Sequence, residues 1–103
     1  PKNGIGGIGG MYVKPTGLSN VYNFYKQFEK LNCNIKIIGC GGIKNGTDVF
    51  EYILCGAEAV QIGTQFYSED IKCFERIQNE LIDIMKLKKY TNINDFKGKL
   101  KII

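Results

Sequence analysis

Ile37-Ile38-Gly39-Cys40-Gly41-Gly42 and Gln61-Ile62-Gly63-Thr64 decide the fold of this chain. Each closes a short apolar run, residues 35–38 in the first case and 59–62 in the second. Each run stops at glycine. Nearly continuous apolar residues, with little alternation, mark strands buried on both faces of a parallel sheet. The residues between them read as a helix. Asn45-Gly46 offers a turn or cap, and Asp48 places an acid in the first turn, where the helix dipole favours it. Val49, Phe50, Ile53 and Leu54 form the apolar stripe, and Gly56 ends it. Strand, helix, strand is a parallel pair joined by a crossover.

Outward from this unit the pattern continues. Residues 1–17 read as a loop, since Gly4, Gly6, Gly7, Gly9 and Gly10 weaken any regular element and Pro15 and Gly17 close the segment. Leu18, Val21, Tyr22, Tyr25, Phe28 and Leu31 then recur at three- and four-residue steps, which predicts a helix. Asn32-Cys33-Asn34 is a turn. Beyond Gly63, residues 64–67 suit one helical turn. Ser68, Glu69 and Asp70 open a long helix with the stripe Ile71, Phe74, Ile77, Leu81, Ile84 and Met85. Asn92 and Asp95 frame a last short turn. The order is loop–α–β–α–β–α, an α/β chain.

Two parallel strands cannot close a barrel or hide their own edges. A complete (β/α)8 barrel takes about 250 residues, against 103 here. The expectation is a piece of a larger sheet, and the Pro1-Lys2-Asn3 start, without Met, suits a processed chain or a segment of a longer one.

Composition excludes several classes. The chain has no His, so Ser/His and Cys/His relays and His-ligated metals are absent from it. Cys33, Cys40, Cys55 and Cys73 are too far apart for a CxxC pair. The apolar neighbours of Cys40 and Cys55 point to reduced, buried thiols. The net charge is +4. Residues 1–50 carry six Lys and two acids, and residues 51–103 carry eight groups of each sign. This is too dilute for a nucleic-acid arm, though it suits a small anion. No run approaches the ~18 apolar residues of a membrane span. No pair of carboxylates stands at a catalytic spacing, and Glu69-Asp70 reads as first-turn decoration. Tyr22, Tyr25 and Tyr52 read as packing residues, Lys14 as an exposed loop residue.

The chemical signal lies at the two strand ends. Glycine lets backbone N–H groups approach phosphate oxygens, a helix N-terminus adds partial positive charge, and Thr64 adds a hydroxyl. The loops after the last two strands of a barrel commonly hold a phosphate. The same glycines also make plain tight βα turns, so both readings stand. Gly4-x-Gly6-x-x-Gly9 matches a dinucleotide fingerprint as a string, but no strand precedes it and no helix begins within it.

Five stretches occur in one order: Gly-Gly-Ile-Gly-Gly-Met-Tyr-Val-Lys-Pro-Thr-Gly-Leu (6–18), Ile-Ile-Gly-Cys-Gly-Gly-Ile (37–43), Leu-Cys-Gly-Ala (54–57), Val-Gln-Ile-Gly-Thr (60–64) and Phe-Lys-Gly-Lys-Leu (96–100). Together they resemble the C-terminal third of the class 1A dihydroorotate dehydrogenase family. The glycine motifs of 37–43 and 60–64 are shared by many flavin barrels, whereas 6–18 and 96–100 are more particular to class 1A. Met11 and Gly17 are small departures.

The resemblance implies that residues 1–103 form the C-terminal segment of one FMN-binding (β/α)8 TIM-barrel domain, with its last two parallel strands and their helices, the remainder lying upstream. It implies FMN-dependent oxidation of dihydroorotate to orotate in pyrimidine (UMP) biosynthesis, with fumarate as acceptor, in a cytoplasmic homodimer. By the same resemblance, Gly10, Gly41, Gly42, Gly63 and Thr64 contact FMN. The family's catalytic base, a loop Cys, would lie upstream, and none of the four Cys here matches its motif. No catalytic residue, metal ligand, nucleic-acid partner or membrane contact is expected in this chain, which alone is expected to be inactive. The alternatives are another FMN-dependent barrel, such as a dihydropyrimidine dehydrogenase, which leaves 6–18 unexplained, and an inactive truncated binding chain.

Overall fold

The computed structural model describes residues 13–63 and 70–100. Helix α1 (Val13–Lys30) leads to strand β1 (Ile38–Cys40), helix α2 (Gly46–Cys55), strand β2 (Ala59–Gln61), helix α3 (Lys72–Leu87) and a 3-10 turn at Ile93–Asp95. β1 and β2 pair in parallel, with Ile38 opposite Ala59, Gly39 opposite Val60 and Cys40 opposite Gln61. The α/β order expected from the sequence is present, and α2 makes the crossover.

α2 sits at the centre. Val49, Phe50, Tyr52, Ile53 and Cys55 are all buried on it, because α1 packs on one flank and α3 on the other. Its ends follow the expected chemistry. The Asn45 side chain accepts from the Asp48 N–H, and Gly56 closes the helix with φ at 122°. Beneath it, Phe96 stacks on Phe50 and Tyr90 with ring centroids 4.7 and 5.0 Å apart. Offset stacking adds attraction beyond the area buried.

Several boundaries differ from the sequence reading. α1 begins at Val13, not Leu18. Pro15 is accommodated because the N–H groups of a first helical turn have no intrahelical acceptor. Gly17 lies inside the helix, where an added Cβ would overlap the Tyr52 hydroxyl. Close packing of α1 on α2 therefore outweighs its helix-breaking tendency. β1 covers residues 38–40, not 35–38, and β2 ends at Gln61. Gly39 is interior to β1 because a Cβ there would overlap the Tyr52 ring. α3 begins at Lys72, while 64–69 lie outside the described residues. Ile71 and Phe74 are exposed, and Cys73 with Ile77 takes the buried face of that helix. Asn32 and Lys89 end α1 and α3 in left-handed conformation, with Cys33 N–H donating to Phe28 O and Tyr90 N–H to Met85 O. These six-to-one bonds are Schellman endings.

Cys40 is a further correction. Cys55 and Cys73 are buried as expected, but Cys40 is exposed, as is Cys33. Side chains alternate along a strand, so Ile38 and Cys40 share one face with Ala59 and Gln61, and all four are exposed. The helices cover the opposite face, where Gly39 and Val60 sit.

Candidate functional site

The C-terminal ends of the two parallel strands lie side by side. A small cleft opens there between Cys40, Gly41 and Gly42 on one side and Gln61 and Gly63 on the other, with Ile43 and Lys44 at its edge. The structure thus brings three of the sequence-chosen residues, Gly41, Gly42 and Gly63, into one place. Gly10 and Thr64, chosen with them, lie outside the described residues.

Local geometry explains the glycines. Gly41 and Gly42 have φ of 123° and 66°, a consecutive pair in the region that side chains disfavour. Among the described residues, nothing lies within 4 Å of where a Cβ on Gly63 would stand. Crowding by those residues therefore gives no reason for glycine here. A ligand approaching the backbone closely is the other physical use of glycine at such a position.

The orientation of the 40–42 peptides is fixed from behind. Tyr52, fully buried on α2, donates its hydroxyl to Gly41 O at 2.7 Å and stands 3.2 Å from Cys40 O. No described peptide bond is cis, and in a planar trans peptide the N–H points opposite to the C=O. The carbonyls of Cys40 and Gly41 point toward Tyr52, so the N–H groups of Gly41 and Gly42 point away from it. Tyr52 does not line the cleft.

The next residues of the loop are clamped to both following helices. Lys44 N–H donates to Asp48 Oδ2 at 2.8 Å, and Gly46 N–H to Glu80 Oε1 at 2.9 Å. Arg76 holds Glu80 with Nη1 at 3.0 Å from both carboxylate oxygens, and its Nη2 donates to Lys44 O at 2.6 Å. A planar guanidinium suits this double duty, because its donors form a rigid fork. Gly46 permits the approach, since a Cβ there would overlap the backbone of Leu81.

The arrangement fits a phosphate end-group. It offers directed backbone N–H donors and glycine surfaces that leave room for oxygens, with Lys44 among the lining residues. Among the described residues its lining includes no carboxylate. Among the described residues no group of three His, Cys, Asp or Glu could hold a metal, and no helix is long and apolar enough to cross a membrane. The Cys55 thiol, buried and next to Glu51, is pushed up to about 11 and stays protonated at neutral pH. The sequence reading takes Tyr52 as a packing residue, without a role for its hydroxyl, and does not single out Arg76 or Glu80. The one available signal was a phenol within the buried stripe of α2, since a buried hydroxyl needs a partner.

Comparison with known proteins places these features in a family context. A family model described as dihydroorotate dehydrogenase matches residues 1–85. The dihydroorotate dehydrogenase (fumarate) of Saccharomyces cerevisiae is 58% identical over 103 residues, which is 100% of this chain and 32% of that protein. A probable dihydroorotate dehydrogenase A (fumarate) of Streptococcus pneumoniae is 54% identical over the same 100% and 32%. The chain therefore spans about a third of the length of these curated relatives. Among solved structures, ligand-free DHODH from Eimeria tenella superposes with a TM-score of 0.82 at 29% identity, covering 91% of this chain and 25% of that one.

Proposed function

The chain belongs to the dihydroorotate dehydrogenase family, and from that premise we propose that it supplies the cofactor-phosphate cradle of an FMN-dependent enzyme oxidising dihydroorotate to orotate with fumarate as acceptor. Its fold is that of a portion of a (β/α)8 barrel, two consecutive parallel strands with their helices. In a protein of its relatives' length, residues 1–103 form the C-terminal part of one barrel domain. Such a protein is a cytoplasmic homodimer serving pyrimidine biosynthesis. The observation that carries the proposal is the meeting of Gly41, Gly42 and Gly63 at the C-terminal ends of adjacent parallel strands, the face on which barrels bind phosphate. Relatives at 54–58% identity that are named as fumarate-linked dihydroorotate dehydrogenases support fumarate as acceptor.

Bound FMN supplies the acceptor for the two electrons that leave dihydroorotate. The residues of this chain bind and orient. The Gly41 and Gly42 N–H groups and Gly63 would hold the phosphate, and the family resemblance adds Gly10 and Thr64 to the residues that would hold it. Tyr52 and the Arg76–Glu80 pair hold the loop rigid, so little conformational entropy is lost when the anion arrives. No group here takes a substrate proton.

The test uses the complete protein that contains this segment. Purified, it should carry about one FMN per chain, and orotate absorbance should rise when dihydroorotate and fumarate are added together. Colourless protein that takes up no FMN, or orotate formation indifferent to fumarate, would refute the respective half of the proposal.

A further inference from the structure

Tyr52 carries chemistry that packing does not need. Its ring fills the space beside Gly39 of β1 and its hydroxyl the space beside Gly17 of α1, where any side chain would overlap it. Phenylalanine would keep the ring's packing against Gly39 and lose only the hydroxyl. That hydroxyl does more than fill the gap at Gly17: it reaches the carbonyls of Gly41 and Cys40 at the glycine loop.

We propose that Tyr52 is a positioning residue for phosphate: by holding the Cys40 and Gly41 carbonyls, it aims the Gly41 and Gly42 N–H groups at the anion. The inference rests on the reading that this loop receives the FMN phosphate. Tyr52 lies behind the loop and touches no ligand; it acts through the peptide planes. The clamps on Lys44 and Gly46 fix the loop further along the chain. Residues 40–42 have positive-φ glycines and two orientations open to each peptide. The phenol selects the one that presents N–H groups outward. Without it, a flipped peptide would turn a carbonyl oxygen toward the phosphate and repel it.

Riboflavin gives the discriminating measurement, because it has the flavin ring and no phosphate. The complete protein is titrated with FMN and with riboflavin, following flavin fluorescence, as wild type and as Tyr52→Phe. Tyr52→Phe should weaken FMN about tenfold, the loss of one hydrogen bond's worth of orientation, and leave riboflavin affinity unchanged. Equal weakening of both flavins would mean a general packing role and overturn the proposal. So would unchanged FMN affinity in a protein whose wild type binds FMN. A wild type that binds no FMN would overturn the flavin reading itself and this inference with it. If Tyr52→Phe does not fold, Gly17→Ala decides the matter, since its methyl displaces the phenol from the other side. The same phosphate-selective loss is expected there, and unchanged selectivity would refute the role.

Discussion

Gly42 has a φ of 66° within the candidate cradle. A β-branched residue there adopts a left-handed conformation at a cost of about 1–3 kcal/mol, and its methyl groups occupy the approach to the loop. Gly42→Val in the complete protein should therefore lower FMN affinity by more than tenfold, by about 1.4 kcal/mol or more. Stoichiometric FMN at unchanged affinity after gel filtration would reject the cradle. The cysteines make a second prediction at this scale. Cys73 is fully buried, and burial, followed by Glu51, raises the Cys55 thiol to about 11. Thiolate is the reactive form. In the folded protein at pH 8, iodoacetamide should leave Cys55 and Cys73 unmodified, whereas unfolding without reductant should expose all four thiols. Mass spectrometry finding either residue alkylated in the native protein, or a disulfide after unfolding, would contradict this.

The elements show which parts of the fold were legible in sequence. α2 was legible at both ends because its signals are local: Asn45 caps, Asp48 sits in the first turn and Gly56 stops it. β1 was misplaced because a β-branched run does not say where pairing begins; its register depends on residues 59–61, some 20 positions away. α1 started earlier than read because Gly17 serves Tyr52, a contact across 35 residues. Gly41 and Gly42 were visible for the local reason that positive φ favours glycine, whereas the Tyr52 hydroxyl and Arg76 act over distance and left little trace. Arg76 joins α3 to the loop before α2. Being about one-third exposed, its ion pair is worth little, but the bond to the Lys44 carbonyl adds about 1 kcal/mol. Arg76→Ala should lower Tm by about 2–4 °C, and Arg76→Lys should not restore it, because one ammonium lacks the fork. Full rescue by lysine would show that charge alone matters. The last turn gives a pH prediction. Asp95 accepts from the Thr91 N–H and also from the Asn92 N–H, which hold its carboxyl below the ordinary 3.8. A lowered folded-state pKa means stability present above the ordinary value and lost as pH falls through the lowered one. Asp95→Ala should thus reduce Tm at pH 7 and have progressively less effect as pH falls below 3.8; an effect equally large at pH 2.5 would refute the charged cap.

At the scale of the whole molecule, what the segment leaves uncovered bears on what it does alone. Ile38, Cys40, Ala59 and Gln61 share the sheet face without helices, and Ile71, Phe74 and Leu87 of the α3 region are exposed. Apolar surface of this kind is normally covered in a monomer, and two parallel strands present open edges. In the proposed barrel the other six strands would cover that face and complete the mouth in which the flavin ring lies. On the proposed reading, the segment by itself would supply the phosphate end of the cradle and leave the ring against water. It has no His, Cys55 is protonated and buried, and none of the four Cys matches the family's base motif. On the family resemblance, the group that takes a proton from dihydroorotate would lie outside it. General-base help is worth about 10²–10⁴ in rate, and the positioning of substrate over flavin is worth more. The 103-residue chain, expressed alone and supplied with FMN, dihydroorotate and fumarate, should therefore form orotate at less than a ten-thousandth of the complete protein's rate, and it should self-associate on gel filtration. Followed by orotate absorbance against a no-protein control, turnover within tenfold of the complete protein would place the catalytic groups inside residues 1–103 and sink the division of labour argued above. Restored turnover on adding the remainder of the barrel as a separate chain, with the chain alone inactive, would locate the missing groups in the other strands.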